Sequence, residues 1–351
     1  MEAAQKTGRP RSTSAVAFPS AFPDAGGGVR VALAPMSGIT DHGLRRVAMR
    51  LGASYVVSEM VASDEFVKGH EETRLRAEGD GVVPHIVQLA GCDARWLAEA
   101  ARLAEASGAD VIDINMGCPA KRVTGGWAGS ALMRDLDHAT GLIEATAKAT
   151  CLPVTVKMRL GWDTGNLNAP ELARRAVGAG ARLITVHGRT RQQFYKGKAD
   201  WSAIAAVRAA IPATPLVANG DIHTGCEAVQ CLAASGADGV MIGRAALGRP
   251  WLPGLIAAEL RTGQQPAEPS LALKLAATLE HYESLLAAMG EHSGLRHARK
   301  HLAAALDDAA RHGAGRAVAL KPLICTADRA DLVTGLMREA FEQQETTAVA
   351  A

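Results

Sequence analysis

Between Leu183 and Arg244 the chain reads Leu183-Ile184-Thr185-Val186-His187, then Leu216-Val217-Ala218-Asn219-Gly220-Asp221, then Val240-Met241-Ile242-Gly243-Arg244. Each run is apolar or β-branched without polar alternation, the pattern of strands covered on both faces of a parallel sheet. Each stops on polar residues or glycine, and an Ala-rich stretch of helical spacing, Ser202–Ala210, separates the first two. Working outward, Val31–Ala34, Tyr55–Val57, Val83–Val87, Val111–Ile114 and Val154–Val156 bring the number of such runs to eight. Ala94–Ala106, Asp137–Ala149 and Ala169–Val177 supply further helical patterns between them. Eight alternating units over roughly 220 residues fit a (β/α)8 TIM barrel in count and size. A doubly wound open sheet is the second choice. Against it, no G-x-G-x-x-G opens the first helix, and the first run ends in Ala34-Pro35-Met36-Ser37-Gly38.

After Trp251 the strand-like runs stop, and only helical patterns such as Leu271–Met289 and Leu295–Leu306 follow. The expectation is an α/β barrel over 29–253 followed by a smaller all-helical domain over 254–344, with the boundary near Arg249-Pro250-Trp251-Leu252-Pro253, where two prolines interrupt regular structure. Residues 1–28, rich in Pro, Ser, Ala and Gly, and residues 345–351 read as tails.

A chain of 351 residues that is 48% hydrophobic and 21% charged has the material for a sizeable core. No apolar run approaches the ~18 residues of a membrane span, and the first 28 residues lack a secretory apolar region, so a cytoplasmic protein that does not engage membranes is expected. Six cysteines without a C-x-x-C pair exclude a disulfide scaffold and give no sign of zinc; no metal site is expected. The net charge of +2 means that a polyanionic partner would be met by a local basic patch and not by the whole surface.

Barrel active sites lie at the C-terminal ends of the strands. Here the runs end in Gln88, Asn115, Lys157, His187, Asn219-Gly220-Asp221 and Gly243-Arg244, so one mouth would collect them all. The last two ends stand where barrels often bind phosphate on loop amides, and Arg244 adds a fork of donors suited to phosphate oxygens. Lys157 and His187 would stand near the barrel centre, where a cation offsets developing negative charge.

The fourth run continues as Asn115-Met116-Gly117-Cys118-Pro119-Ala120-Lys121-Arg122. A cysteine between Gly and Pro sits on a turn, not on a packed face. Its unperturbed pKa of about 8.5 keeps the thiol protonated at neutral pH, ready to give a proton to a carbanion-like centre. A nucleophilic role would need a base; none neighbours it in sequence, although the fold could bring His187 close. Lys121 and Arg122 read equally well as a phosphate-meeting basic loop and as a solvated surface. Arg296, Arg299 and Lys300 follow i, i+3, i+4 spacing and share one helix face, which reads as a solvated basic face or as a surface for a polyanion.

With these residues in view the chain resembles the tRNA-dihydrouridine synthase family. The motifs are Leu33-Ala34-Pro35-Met36-Ser37-Gly38-Ile39-Thr40-Asp41, Val87-Gln88-Leu89, Asn115-Met116-Gly117-Cys118-Pro119, Gly129-Ser130-Ala131-Leu132, Val156-Lys157-Met158-Arg159-Leu160-Gly161, Val186-His187-Gly188-Arg189-Thr190, Asn219-Gly220-Asp221-Ile222 and Gly239-Val240-Met241-Ile242-Gly243-Arg244. They run in order from about residue 30 to 253, and the branch they resemble is the bacterial B-type. The resemblance implies FMN held by Pro35, Met36, Ser37, Gln88, Lys157, His187, Asn219, Gly220, Asp221, Gly243 and Arg244. It implies Asn115 against the target uracil, Cys118 as the acid, and NADPH (or NADH) as reductant. The implied reaction reduces specific tRNA uridines to 5,6-dihydrouridine, with hydride from reduced FMN and the proton from Cys118. Lys121, Arg122, Arg296, Arg299 and Lys300 would meet the tRNA, and a monomer is expected. Ser37 stands where the family more often has alanine. Ala298-Arg299-Lys300-His301 keeps the family's Arg-Lys-His, but Leu302-Ala303-Ala304-Ala305 is poorer in aromatics than its counterpart. A small-pyrimidine dehydrogenase on the same barrel and a non-catalytic RNA-binding protein are the competing readings.

Overall fold

The structure, a computed structural model, describes residues 30–342; both expected tails lie outside the described residues. Nine strands form one sheet: β1 (Arg30–Leu33), β2 (Tyr55–Val56), β3 (Val61–Ala62), β4 (Ile86–Ala90), β5 (Val111–Met116), β6 (Val154–Arg159), β7 (Ala181–His187), β8 (Leu216–Asn219) and β9 (Gly239–Ile242). All pairings are parallel, in the order β2-β1-β9-β8-β7-β6-β5-β4-β3. A bridge from Val57 to Ile86 joins the β2 end of the sheet to β4. The short β2 and β3 therefore share one position in the wall, and the curled sheet is the (β/α)8 barrel that the eight apolar runs predict.

Each run became a strand, with one shift along the chain. Val83–Val87 is expected extended, whereas β4 spans Ile86–Ala90. Pro84 has no amide to offer a ladder, and the His85 amide donates instead to Asp110 Oδ2 at 2.7 Å. The strand β3 was hidden because two residues, Val61 and Ala62, carry no readable pattern.

Residues two apart share a face of a strand. One inner cluster, Ala32, Tyr55, Ile86, Val111, Leu183, Val217 and Met241, fills the lower barrel with apolar atoms. Two residues further along β4, β5, β7 and β8 the same face carries Gln88, Asp113, Thr185 and Asn219, and at the top of β5 and β7 it carries Asn115 and His187. These four strands change from apolar to polar on their inner face as they near the mouth, whereas β1 and the residue after it keep Ala32 and Ala34 there. The outer helices are built for burial: Ala94–Ala106 is capped by Asp93, whose side chain accepts from the Arg95 and Trp96 amides, and buries Leu97, Ala100, Ala101 and Ala104 at i, i+3, i+4, i+7. Gly225–Ser235 opens with a capping box of Thr224 and Glu227.

Beyond β9 the chain is helical. Leu252–Thr262 sends Leu252 and Ile256 into the barrel core. Leu271–Arg311, interrupted at Gly290, then Ala317–Thr326 and Ala330–Ala340 build a core of their own around Tyr282, Leu285, Leu302, Leu306 and Met337. The two regions meet where Val47, Trp251 and Ala277 pack together and where Asp41 faces His281. No helix among the described residues is long and apolar enough to cross a membrane.

Candidate active site

The polar strand ends surround a cavity of about 410 Å³ at the barrel mouth. Pro35, Met36, Ser37, Gln88, Asn115, Cys118, Lys157, His187, Asn219, Gly220, Asp221, Gly243 and Arg244 all line it. The parallel ladder brings them together: Asn115 is in register with Lys157, Arg159 with His187, and His187 with Asn219.

The floor is a chain of hydrogen bonds. Asp113, buried on β5, accepts from Thr155 Oγ1 at 2.5 Å and from Gln88 Nε2 at 2.7 Å. Gln88 Oε1 accepts from Asn115 Nδ2 at 2.7 Å, which orients both amides. Asn115 Oδ1 accepts from the Cys118 amide at 2.9 Å and the Gly117 amide at 3.2 Å. Asn115 therefore shapes the turn on which Cys118 sits, and Ser130 Oγ holds the Cys118 carbonyl from the far side at 2.8 Å. Burial pushes the Cys118 thiol up from its ordinary pKa despite the pull of Arg159 and Lys157. It is held as a thiol.

The wall is cationic. Burial, and then the Arg159 charge, push Lys157 down to about 8. Its Nζ donates to the neutral Asn219 Oδ1 at 3.1 Å, while Asn219 Nδ2 donates to the Met241 carbonyl. His187 is held well below its usual range by burial and by Arg159, Lys157, Arg189 and Arg244 around it, so it is neutral. Asp221 accepts from Arg189 and from Arg244. It sits in the left-handed region at φ 52°, after Gly220 at φ 122°. A Cβ at Gly220 would come within 2.9 Å of His187 Cδ2 and 2.7 Å of Ala199 Cβ, so the protein's own packing requires glycine there. A Cβ at Gly243 would meet nothing nearer than 3.9 Å, so packing does not require the second glycine.

Several lining residues escaped the sequence reading. Arg159, nearly buried, donates to the carbonyls of Gly117, Thr190 and Phe194. Its position two residues after Lys157, on the same strand face, was the available signal. Phe194 and Tyr195 come from the loop after β7, where no periodicity marks them; the Tyr195 ring lies 4.7 Å from the Arg244 guanidinium and 5.5 Å from that of Arg159.

The remaining sequence candidates lie outside the cavity. Lys121 and Arg122 are exposed on the short helix Lys121–Thr124. Arg296 is exposed and Arg299 half-buried on the helix after Gly290. Lys300 reaches back to the rim loop after β1: its Nζ lies 3.4 Å from His297 Nε2 and beside Gly38, whose amide donates to the buried Glu59.

The sequence profile of the family described as "Dihydrouridine synthase (Dus)" matches residues 32–319. The chain belongs to the dihydrouridine synthase family. A "Probable tRNA-dihydrouridine synthase" of Rhizobium leguminosarum bv. phaseoli is 56% identical over 273 residues, covering 78% of this chain and 84% of that protein. One of the same name from Rhodobacter capsulatus is 50% identical over 317 residues, 90% and 95% of the two chains. The "tRNA-dihydrouridine synthase B" of Xanthomonas axonopodis pv. citri is 45% identical over 314 residues, 89% and 93% of the two. Membership accounts for the mouth: the family motifs fall on the strand ends that line it.

Proposed function

We propose that this chain reduces specific uridines of tRNA to 5,6-dihydrouridine with FMN as bound cofactor, NADPH (or NADH) as reductant and Cys118 as the proton donor. The observation that carries the proposal is a protonated, half-buried thiol on the rim of the same cavity as Lys157 and His187.

The residues fit FMN. Among the described residues no carboxylate hydrogen-bonds to Lys157 or Arg159, Arg244 has a long 3.4 Å contact to Asp221 and lies over the Tyr195 ring, and Gly243 leaves room for close approach. Pro35, Met36, Ser37, Gln88, Lys157, His187, Asn219, Gly220, Asp221, Gly243 and Arg244 would hold it, the last two at the phosphate. When bound, FMN supplies hydride to one carbon of the uracil double bond. The chain's own work is to place that carbon and to protonate its neighbour from Cys118 Sγ. A thiol raised in pKa by burial keeps its proton until a strongly basic centre develops beside it, which suits an acid and not a nucleophile. Lys157 opposes negative charge in the cavity, and Asn115 sets the cysteine turn while lining the place where uracil would lie. The uracil must leave its stack to arrive there.

We further propose a division of labour in which 29–253 carries chemistry and 254–344 helps bind tRNA through Arg296, Arg299 and Lys300, with Lys121 and Arg122 contacting it from the barrel. The protein would act in the cytoplasm as a monomer. The test is incubation of purified protein and NADPH with tRNA transcribed without modification. Dihydrouridine in the tRNA is the expected result. Reduction of free uracil or uridine with tRNA left untouched would favour the small-pyrimidine reading, and a colourless protein that takes up no added FMN would overturn the cofactor.

A further inference from the structure

On the mouth face, beside the cavity, an indole and a guanidinium alternate through four members. Arg134 stands 4.9 Å from the centroid of Trp127 on one side and 4.9 Å from Trp162 on the other, and Arg191 covers Trp162 at 4.7 Å. The members come from three separate loops, those after β5, β6 and β7, so the stack is a product of the fold and not of one helix face. Arg191 also reaches Thr124 Oγ1 at 3.5 Å, which ties the stack to the short helix bearing Lys121 and Arg122.

The stack is not core. Trp127 is 57% exposed and Arg134 is exposed as well. Trp127 further adopts φ 59°, a backbone conformation costly for a bulky residue, so the local chain holds an indole toward solvent in a strained turn. The carboxylates nearby do not neutralise the guanidinium of Arg134: Asp135 caps the helix Leu136–Ala149, Asp137 pairs with Arg175, and Asp163 accepts from the Gly165 amide and Asn166.

We infer that Trp127, Arg134, Trp162 and Arg191 form a stacking platform for an unpaired stretch of the RNA substrate. A row of π faces separated by cations matches a polyanion that carries its own flat rings. A base can stack on the open face of Trp127 whatever its identity, while Trp162, flanked by Arg134 and Arg191, spaces the two guanidinium groups to meet the neighbouring phosphates. The inference rests on the tRNA reading above and deepens it: the strand leading to the target uridine would cross the loops after β5 to β7 before the base enters the cavity.

The test measures tRNA affinity and the steady-state split between KM and kcat for the full chain with its flavin. Trp127→Ala should weaken tRNA binding by roughly 5- to 150-fold, the range for loss of one base–aromatic stack, and Trp162→Ala by less, through lost positioning of Arg134 and Arg191. KM should rise, while flavin content, NADPH oxidation in the absence of tRNA and melting temperature stay as in the wild type. Trp127→Tyr should restore most of the affinity, which a merely structural role for the indole would not require. Arg134→Gln should lower the salt slope of binding by about one phosphate contact. If the wild type binds tRNA and the Trp127→Ala Trp162→Ala double variant binds it equally well, the platform is wrong while the enzyme reading stands. If the wild type binds no tRNA under any salt condition, both fall together.

Discussion

Two lysines, Lys274 fully buried and Lys157 half-buried, show how differently the two halves of this molecule treat charge. Lys274, in the helical region, is fully buried, with its Nζ 2.8 Å from Asp308 Oδ2 and 3.1 Å from Glu268 Oε2. Arg249 closes the same group from the other side at 3.2 Å from Asp308. Lys157, in the barrel, donates to the neutral oxygen of Asn219; burial and the Arg159 charge oppose its own charge, and the buried Asp113 offsets them only in part. Burying a cation without an anion is costly, and such an arrangement persists where something else benefits. The helical network is complete within the chain. On the proposed reading an anionic ligand would complete the barrel wall, and that difference would separate scaffold from site more sharply than burial does.

If the mouth is a site, its largest effect lies in chemistry and not in stability. Cys118→Ala should lower dihydrouridine formation by ~10²–10⁴-fold, the usual worth of a general acid. NADPH oxidation measured without tRNA should remain near the wild-type rate, because that half of the reaction needs no proton from Cys118. Rapid-mixing measurements of the two halves separate them. Equal slowing of both would make Cys118 a structural residue, and no slowing of either would place the proton elsewhere.

In the scaffold the comparison predicts the opposite. Asp308→Ala leaves Lys274 buried with only Glu268, and breaking such a pair typically costs about 3–5 kcal/mol. Urea unfolding should report that loss, with flavin-site chemistry unaltered in whatever fraction stays folded. A change under 1 kcal/mol would mean that the network is no more than a surface ion pair. Lys157→Met should do the reverse: little or no loss of stability without ligand, but FMN affinity down by roughly 10- to 150-fold, the range for a hydrogen bond to a charged group. Flavin released on gel filtration checks it, and unchanged retention would remove Lys157 from the binding set.

How much of this was legible follows the same division. The barrel was readable because strands of a parallel sheet, apolar on both faces, leave contiguous runs, and because their polar ends converge by symmetry; Gln88, Lys157, His187 and Asn219 needed no tertiary information. The helix break at Gly290 fell between the two expected helical patterns, Leu271–Met289 and Leu295–Leu306. What stayed hidden depends on contacts across the chain. Asp113 holding Gln88, which in turn holds Asn115, leaves no local spacing signature, and the place of Arg159 two residues after Lys157 gives its strand face but not its ties to the Gly117 carbonyl and the loop after β7. Lys300 looks like one member of an exposed basic face, yet it reaches the rim loop beside Gly38, because helix spacing gives the face but not what the face meets.

The smallest expected effect is a pH dependence, and it probes the comparison without a change of shape. Lys157 has its pKa pushed down to about 8 in the folded chain from 10.5 in an unperturbed one. Below about 8 both states hold the proton and the cost of the buried charge is present in full. Between about 8 and 10.5 the unfolded chain binds the proton that the folded chain releases, so stability without ligand should rise with pH across that window. An anionic ligand reverses the sign locally, because it favours the charged lysine. FMN binding above pH 8 should therefore take up a proton and weaken as pH climbs. Titration calorimetry in buffers of different ionisation enthalpy counts that proton, and Lys157→Met should abolish both the uptake and the rise in stability. If the variant and the wild type kept the same pH profiles, the charge in the barrel wall would be satisfied by the protein itself, and the contrast with Lys274 would vanish.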